Sequence, residues 1–507
     1  MPTRSVSPTS TLRDSRGVPR WGEIPVRSTV SAAVLVSACL WAVFIYPASS
    51  PFFLSILLFW VLRGPYPALQ ALFLSTGIAY VNIAHGSQPS AAAVLKWVIL
   101  VVAAVKYLIW PAVARRGKRY SGRWLWWLLA FAGAVATGAY FTSLDGRLSF
   151  FKLVAITTGV GAALTIANGA LAEAGQTRVR WWCNTFFTSI LLASMPLLGR
   201  SEGVFRNGIH FQGLLSHPMA FGFFMAMGGA LALTGLVWGA TRWLWLLVLV
   251  AYTGALVQSG SRTAILSFAI AALVSSARWT KPRSARPKGR LIGQQTTAAL
   301  VMALLLLGVV SAVFSASARN AVARVLVKWP SVFDTTDSPW EVTAQSVSQT
   351  RGTRLLTLLD LTGKSPIVGL GLGTGCGVYS YDEGRTQWGE IPLSAPVEWG
   401  NLWAGLLCET GWLGVSLFTG LLVSVAWPAL RGGGPFLAAV VVVLASNLTE
   451  GSLASFGGVA SLEWILLGVS GGTKAGLDLK RAPFLRRRAH GALLKVGQTE
   501  PANAAWQ

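Results

Sequence analysis

Long apolar segments recur along most of this chain, and they constrain its fold more than any other feature. Each is about 17 to 25 residues long, the length that an α-helix needs to cross the hydrocarbon core of a bilayer. Hydrophobic residues make up 53% of the chain and charged residues 12%, about half the charged fraction of a typical soluble domain. We therefore predict an all-α polytopic membrane protein.

The apolar segments predict about twelve to fourteen transmembrane helices. Two of them, 51–63 and 434–448, are short enough to be half-length or re-entrant. The candidate spans are 28–47, 51–63, 66–84, 91–113, 123–142, 150–172, 184–198, 212–237, 242–258, 262–277, 294–315, 398–427, 434–448 and 456–472.

The distribution of basic residues predicts the orientation of the spans. Lys and Arg concentrate in short segments such as 114–123 and 277–290 and in the C-terminal tail. Alternating sides from a cytoplasmic N-terminus places these segments inside, as the positive-inside rule requires. Both termini are then cytoplasmic, and we see no cleavable signal peptide. The predicted regions are a disordered basic tail 1–27, a first bundle 28–315, a long extracytoplasmic loop 316–397, the last helices 398–472 and a basic tail 473–507.

Charge and cysteine content exclude two further classes of function. The net charge is +24, but it lies in tails and short loops rather than on a basic folded face, so we predict no nucleic-acid partner. The four cysteines are scattered and form no metal-binding spacing. We therefore predict neither a disulfide framework nor a metal site. The cysteines are Cys39, Cys183, Cys376 and Cys408.

Several arginines lie on the predicted outer face, against the positive-inside bias. Guanidinium groups stay charged and match phosphate oxygens two at a time, so a cluster of them suits a lipid-linked diphosphate. The alternative for each is snorkelling to the headgroups. Arg262 has small neighbours that let helices approach closely, which favours a functional role. The outer-face candidates are Arg200, Arg206, Arg262, Arg351 and Arg354.

Four sequence blocks, in order, resemble the O-antigen ligase and O-antigen polymerase superfamily, including exopolysaccharide polymerases. SGSRTAILSF (259–268) resembles its serine–arginine signature, and GLLSHPMAFGFFMA (213–226) is similar to an upstream block. RGTRLLTLLDLTGKSPIVGLGLGTG (351–375) and GNLWAGLLCETGWLG (400–414) resemble the two downstream blocks. The resemblance covers residues 190 to 470.

The resemblance implies transfer of a glycan from an undecaprenyl-diphosphate-linked oligosaccharide donor to a glycan or lipid-linked acceptor. The reaction would be inverting, free of metal and cofactor, and at the outer face of the bacterial cytoplasmic (inner) membrane. Arg262 and Arg351 would hold the diphosphate, where fixed cations stabilise the departing oxygen. Asn401 and Glu409 match conserved positions of the last block.

One position departs from the family pattern. The ligase block begins with a histidine, proposed as the base that activates the acceptor hydroxyl, and Gly400 stands there in this chain. A base must therefore come from elsewhere, and the candidates are Glu398 and His217. The alternatives are a solvated loop residue for Glu398 and a backbone-bonded helix-boundary residue for His217. The loss favours a polymerase over a ligase.

Two other classes of membrane protein compete with this interpretation. A polysaccharide or lipid transporter without catalytic activity would use Glu450 and Glu463 as coupling-ion ligands, whereas at helix ends they would be wetted caps. The chain shows no internal repeat of the transporter kind. Another polyprenyl-linked glycosyltransferase class places an acidic residue in the first outer loop, and PASS (47–50) has none.

The remaining features have local interpretations. The glycine run 369–377 lacks the strand and helix of a dinucleotide site, so we predict a tight turn. Lys96 and Lys106 are expected to snorkel to the membrane surfaces. Tryptophans at span ends suit an interface belt, whereas Trp388 and Trp399 are candidate glycan platforms.

Overall fold

The chain folds into a helical bundle. The computed structural model describes residues 26–81, 90–109, 123–204, 210–238, 242–279, 353–377, 387–388, 391–392, 401–456 and 458–471. Within them, β-structure is limited to two isolated bridges and one antiparallel pair, β1 (Gln387–Trp388) and β2 (Ile391–Pro392). The predicted all-α class is confirmed.

The helices follow the apolar segments closely, because each segment can satisfy its backbone groups internally only as a helix. The first six are α1 (Val26–Ile45), α2 (Ser50–Val61), α3 (Pro65–Tyr80), α4 (Ser90–Ala104), α5 (Arg123–Phe141) and α6 (Gly146–Ser194). The others are α7 (Pro218–Trp238), α8 (Arg242–Gln258), α9 (Arg262–Trp279), α10 (Thr353–Thr362), α11 (Leu402–Gly432), α12 (Leu437–Ser446) and α13 (Ala460–Gly471).

Four helices of the described residues are long and apolar enough to cross a membrane, namely α5, α6, α7 and α11. The pair α1 and α2 adds a fifth if it is one span bent by 120°. α2 has only 12 residues, as expected for the short segment 51–63. The chain is a membrane protein by these helices, and the total of twelve to fourteen spans stays a prediction.

α6 consists of two helical segments that meet at a kink. We expected a cytoplasmic turn between the spans 150–172 and 184–198, and the helix is broken there at one residue, Gly175 (φ 76°, ψ 165°), rather than by a longer loop. Residues 176–183 contain no proline or glycine, so nothing in them ends a helix. Only the glycine can take the left-handed φ without strain.

The helices pack around a core to which α6 and α7 are central. α1, α3 and α5 pack on α6, whereas α8, α9 and α12 pack on α7. The α7–α8 contact is close because glycines of α7 face aromatic rings of α8. A Cβ atom at Gly228 would lie 2.2 Å from the Tyr252 ring, and one at Gly235 would lie 2.3 Å from the Trp245 ring.

The outside of the bundle is apolar. Large hydrophobic side chains on α1, α2, α5 and α8 are exposed, including Phe59 (70%) and Trp126 (73%). Exposed apolar side chains in this number are typical of a surface that contacts lipid rather than water.

Lys96 is an exception to the expected pattern of charges. We predicted that it snorkels to the membrane surface, but it is buried in α4. Its Nζ donates a hydrogen bond to the Gly458 carbonyl (3.3 Å) and lies 5.9 Å from the centre of the Tyr80 ring. The prediction was wrong because Gly458, just before α13, and Tyr80 of α3 supply partners that the sequence neighbours of Lys96 do not reveal. Lys106 donates a hydrogen bond to the carbonyl of Leu62, the residue that follows α2.

Candidate functional site

The turn Ser259–Gly260–Ser261 sets the position of Arg262. Gly260 takes a φ of 61°, and a Cβ atom there would lie 2.2 Å from Nδ1 of the buried His210. The Ser259 hydroxyl oxygen accepts a hydrogen bond from the Ser261 backbone N–H (3.2 Å). The Ser261 carbonyl accepts the first bond of α9, from Ile265 N (3.0 Å). Arg262 is consequently the first residue of the helix.

Small residues bring this turn against α7. A Cβ atom at Gly222 would lie 2.5 Å from Cβ of Ser261, so only glycine allows this approach. Arg262 is half-buried, and its Nε and Nη2 atoms are shielded from solvent. Its cation stands at the positive end of the α9 dipole, so the two together raise the local potential and favour an anion.

A cavity of about 410 Å³ opens beside this turn. Its volume lies within the usual range for small-molecule sites. Met219, Phe223 and Val459 contribute apolar surface. Its polar lining residues come from α3, the α7 and α9 N-termini and the α12–α13 connection, and they are Tyr80, His217, Ser261, Thr263, Ser446, Glu450 and Ser452.

Glu450 is hydrogen-bonded to Thr263, the residue that follows Arg262. Its Oε1 accepts a hydrogen bond from the Thr263 hydroxyl (3.1 Å), and the Thr449 hydroxyl donates to the Thr263 oxygen (2.9 Å). Glu450 is half-buried and lines the cavity. We expected a wetted helix cap, but tertiary contact with α9 places the carboxylate in the site.

Glu463 supports the segment that carries Glu450. It is fully buried, and its Oε1 accepts from Asn447 Nδ2 (3.0 Å) and the Ser452 hydroxyl (2.7 Å). Asn447 Oδ1 accepts in turn from the Leu453 N–H (2.9 Å). The expectation of a wetted cap for Glu463 was wrong, because the α12–α13 connection folds over it.

His217 caps α7. Its Nδ1 accepts a hydrogen bond from the Met219 backbone N–H (3.1 Å), which is the helix-boundary alternative given for it. It also lines the cavity. Because Nδ1 accepts, the neutral ring carries its proton on Nε2. In this state His217 is a hydrogen-bond donor rather than a base.

Glu409 and Asn401 have structural partners. Glu409 is buried, and its carboxylate accepts from Gly373 N (2.8 Å) and Gly375 N (3.1 Å). The glycine run forms the tight turn that we predicted, and positive φ angles at alternate glycines turn its amides toward this carboxylate. Asn401 Oδ1 caps α11 by accepting from Trp403 N (3.0 Å) and Ala404 N (3.1 Å).

The same turn forms a disulfide that we did not predict. Cys376 and Cys408 are bonded across 32 residues of sequence, with their Cα atoms 6.4 Å apart. Backbone bonds from Leu370 N to the Cys408 carbonyl and from Gly371 N to the Glu409 carbonyl align the run with α11. The pairing follows from this register, which the scattered spacing of the cysteines does not encode. Cys39 and Cys183 are free.

Of the predicted site residues that the structure describes, His217 lines the cavity, and Ser261 and Thr263, the neighbours of Arg262 in sequence, line it as well. Arg200 is exposed at the entry of the short helix Ser201–Gly203 and is not among the described residues that line the cavity. Arg354 lies in α10, and Trp388 lies in β1. Arg206, Arg351, Glu398 and Trp399 lie outside the described residues.

Sequence reasoning missed Tyr80, Thr263 and Glu450 as parts of one site. A polar stretch, SNLTEGS (446–452), between two apolar segments was the available signal. No protein-family model matches the chain, and no curated protein matches it either. The polar cavity in an apolar bundle is therefore the strongest indication of function.

Proposed function

We propose that the chain is a membrane glycosyltransferase that polymerises or ligates an undecaprenyl-diphosphate-linked glycan at the outer face of the bacterial cytoplasmic membrane. The observation that carries this proposal is the half-buried Arg262 at the N-terminus of α9, beside a polar cavity within an apolar bundle. An ionisable residue in the apolar part of a membrane protein is by default a candidate for a ligand or ion site. The resemblance of the four sequence blocks suggests that this ligand is an undecaprenyl-diphosphate-linked glycan.

The donor diphosphate suits the positive end of the site. Arg262 and the positive end of the α9 dipole would bind its phosphate oxygens. As the bond to the sugar breaks, negative charge builds up on the departing oxygen, and fixed cations stabilise it by about 3 kcal/mol each. Arg351 is the second arginine that the resemblance assigns to this role, with Arg354, Arg200 and Arg206 as further candidates.

The hydroxyl-rich wall of the cavity suits a sugar. Tyr80, Ser261 and Thr263 offer donors and acceptors, and Phe223 offers an aromatic face. This combination of polar groups on apolar walls is typical of sites that orient a small ligand. The acceptor glycan would enter from the side of the α12–α13 connection, where Glu450 lies.

A transporter without catalytic activity is the second candidate. The fully buried Glu463 favours it, because intramembrane carboxylates often serve proton or ion coupling. Its hydrogen bonds to Asn447 and Ser452 also fit a structural role. Glycan analysis separates the two functions, because a transporter moves its substrate without forming a new bond between sugars, whereas a glycosyltransferase forms one.

We predict that Arg262→Ala abolishes synthesis of long surface polysaccharide. The deletion strain is complemented with wild type, Arg262→Ala or Arg351→Ala at matched expression, and polysaccharide is resolved by chain length. The control is Arg278→Ala, an exposed arginine at the other end of α9, which should restore wild-type chains. Loss of one diphosphate contact of about 3 kcal/mol corresponds to a drop of about 100-fold in rate.

The chain products distinguish the outcomes. Accumulated single lipid-linked repeats indicate a polymerase, whereas long chains not joined to their final acceptor indicate a ligase. Full restoration by both arginine variants would refute the diphosphate site and favour the transporter.

A further inference from the structure

The missing family histidine leaves the proton of the acceptor hydroxyl without an assigned destination. We propose that Glu450 is the catalytic base that accepts this proton. This inference rests on the proposed function and adds a catalytic residue to it. The sequence offered Glu398, which lies outside the described residues, and His217 for this role.

The position of Glu450 carries the inference. Its carboxylate lines the cavity, half-buried, and one oxygen is fixed by the Thr263 hydroxyl at 3.1 Å. Thr263 directly follows Arg262 on α9. Glu450 is therefore hydrogen-bonded to the residue that follows Arg262 at the same helix end. Such an attachment limits how far the carboxylate and the guanidinium can move relative to each other.

The backbone that carries Glu450 is itself held in place. Glu450 N donates to the Ser446 carbonyl (2.9 Å), and the buried Glu463 fixes Asn447 and Ser452 on either side. We assign Glu463 as a positioning residue. The two oxygens of a carboxylate offer about four acceptor sites, so the bond from the Thr263 hydroxyl does not by itself prevent Glu450 from accepting from a substrate hydroxyl.

The other described carboxylates are less suited to this role. Both oxygens of Glu409 accept from backbone amides of the glycine run. Glu463 is fully buried and does not line the cavity in the part of the chain that the structure describes. His217 lines the cavity, but its Nδ1 already accepts from Met219 N. Among the described residues, Glu450 is thus the carboxylate that lines the cavity together with Ser261 and Thr263, the neighbours of Arg262 in sequence.

The step is balanced as follows. The acceptor hydroxyl oxygen attacks the anomeric carbon of the donor sugar, and its proton passes to the Glu450 carboxylate. The bond between that carbon and the diphosphate oxygen breaks, and its electron pair leaves with undecaprenyl diphosphate beside Arg262. Attack from the side opposite to the leaving group inverts the anomeric configuration. The proton then leaves Glu450 to solvent.

The test uses the purified full-length chain in phospholipid nanodiscs. The probe is the lipid-linked oligosaccharide extracted from the deletion strain, and the readout is released undecaprenyl diphosphate together with extended glycan. The variants are Glu450→Gln, Glu450→Asp and Arg262→Ala. Glu202→Gln is the matched control, because Glu202 is an exposed carboxylate in the short helix Ser201–Gly203.

Glutamine keeps the oxygen that accepts from Thr263 but cannot take a proton. We expect Glu450→Gln to lower kcat at least about 100-fold, the usual contribution of a general base, while the donor KM stays unchanged. Arg262→Ala should instead impair donor binding as well. Glu450→Asp keeps the carboxylate, but the side chain is one methylene shorter and the carboxylate lies further from the acceptor hydroxyl. This variant should therefore retain intermediate activity. Glu202→Gln should match wild type.

Two results would overturn the inference. If wild type transfers and Glu450→Gln retains more than about a tenth of its kcat, Glu450 is not the base and the proposed function stands. If wild type releases no undecaprenyl diphosphate from the probe, the proposed function fails and the inference fails with it. Where Glu450→Gln changes the thermal unfolding profile, Glu450→Asp decides: wild-type kcat refutes the base, and reduced kcat with unchanged KM supports it.

Discussion

At the scale of single residues, the position of Arg262 depends on the backbone of Gly260, two residues before it. Gly260 combines a φ of 61° with a space that His210 already fills. Any side chain there must tolerate left-handed backbone and displace the imidazole. The geometry of the turn therefore requires the serine–glycine–serine sequence before Arg262. The hydrogen bond from the Ser261 backbone N–H to the Ser259 hydroxyl oxygen closes the turn.

We predict that Gly260→Ala destabilises the protein by about 1–3 kcal/mol through the left-handed residue, and further through the clash with His210. Thermal unfolding in detergent measures the loss, and glycan transfer should fall in parallel. The control is Gly254→Ala in α8, where a Cβ atom meets nothing within 4 Å and helix propensity favours alanine by about 0.5–1 kcal/mol. Equal stability of both variants would contradict the prediction.

Sequence reasoning singled out Arg262 and His217 as site candidates but not Glu450, which lines the same cavity as His217. Arginine beside small residues in an apolar segment is visible in any reading of the chain. The hydrogen bond between Thr263 and Glu450 joins residues 187 positions apart, and nothing local to either one predicts it. Glu463 was misjudged for the same reason, because its burial depends on how the α12–α13 connection folds.

At the scale of elements, the glycine run and the first turns of α11 form one unit. The run supplies backbone amides to Glu409, the helix supplies backbone carbonyls to the run, and Cys376–Cys408 joins the two covalently. Gly411 breaks α11 (φ 63°) where the Ile367 backbone approaches to 2.3 Å of a Cβ position. The segment after α10 is therefore tied to the bundle rather than solvated.

We predict that Cys376→Ser lowers the free energy of unfolding by about 2–4 kcal/mol, the usual contribution of a disulfide. Wild type should also lose this stability in reductant, whereas Cys376→Ser should not respond. Thermal unfolding with and without reductant measures both, and Cys39→Ser serves as the control because Cys39 is free. Labelling of Cys376 and Cys408 by maleimide without reductant would contradict the prediction.

We also predict that Glu409→Gln destabilises this unit. The carboxylate accepts from two backbone amides, whereas glutamine offers one acceptor and turns an NH₂ group toward the second amide. The loss of one such charged hydrogen bond costs about 1.5–3 kcal/mol. Glu202→Gln is the matched exposed control. An unchanged unfolding temperature of Glu409→Gln would show that the glycine run holds its shape without the carboxylate.

At the scale of the whole molecule, hydropathy predicted where the helices lie because a bilayer leaves the backbone no other regular form. It predicted a break between the spans 150–172 and 184–198 but not its form, since α6 is broken at the single residue Gly175 and is helical on both sides of it. Glycine tolerates both helical and left-handed backbone, so its sequence position alone does not state which one the fold selects.

We predict from the basic segments that Ser201 faces the outside and Arg431 the cytoplasm. Single cysteines Ser201→Cys and Arg431→Cys, both at exposed positions, are introduced into a chain that lacks Cys39 and Cys183. A membrane-impermeant maleimide should label Ser201→Cys in intact cells and Arg431→Cys only after lysis. The reverse pattern would invert the topology and move the site to the cytoplasmic face.

The size of the cavity has a consequence for the length of any polymer made there. About 410 Å³ encloses a ligand of drug-like size, so under the proposed function this cavity would hold the junction between donor and acceptor and not the chain beyond it. A short product and a long one would then present the same end to the cavity that the described residues form. The distribution of product lengths would be set by the competition between another round of extension and escape of the chain into the lipid.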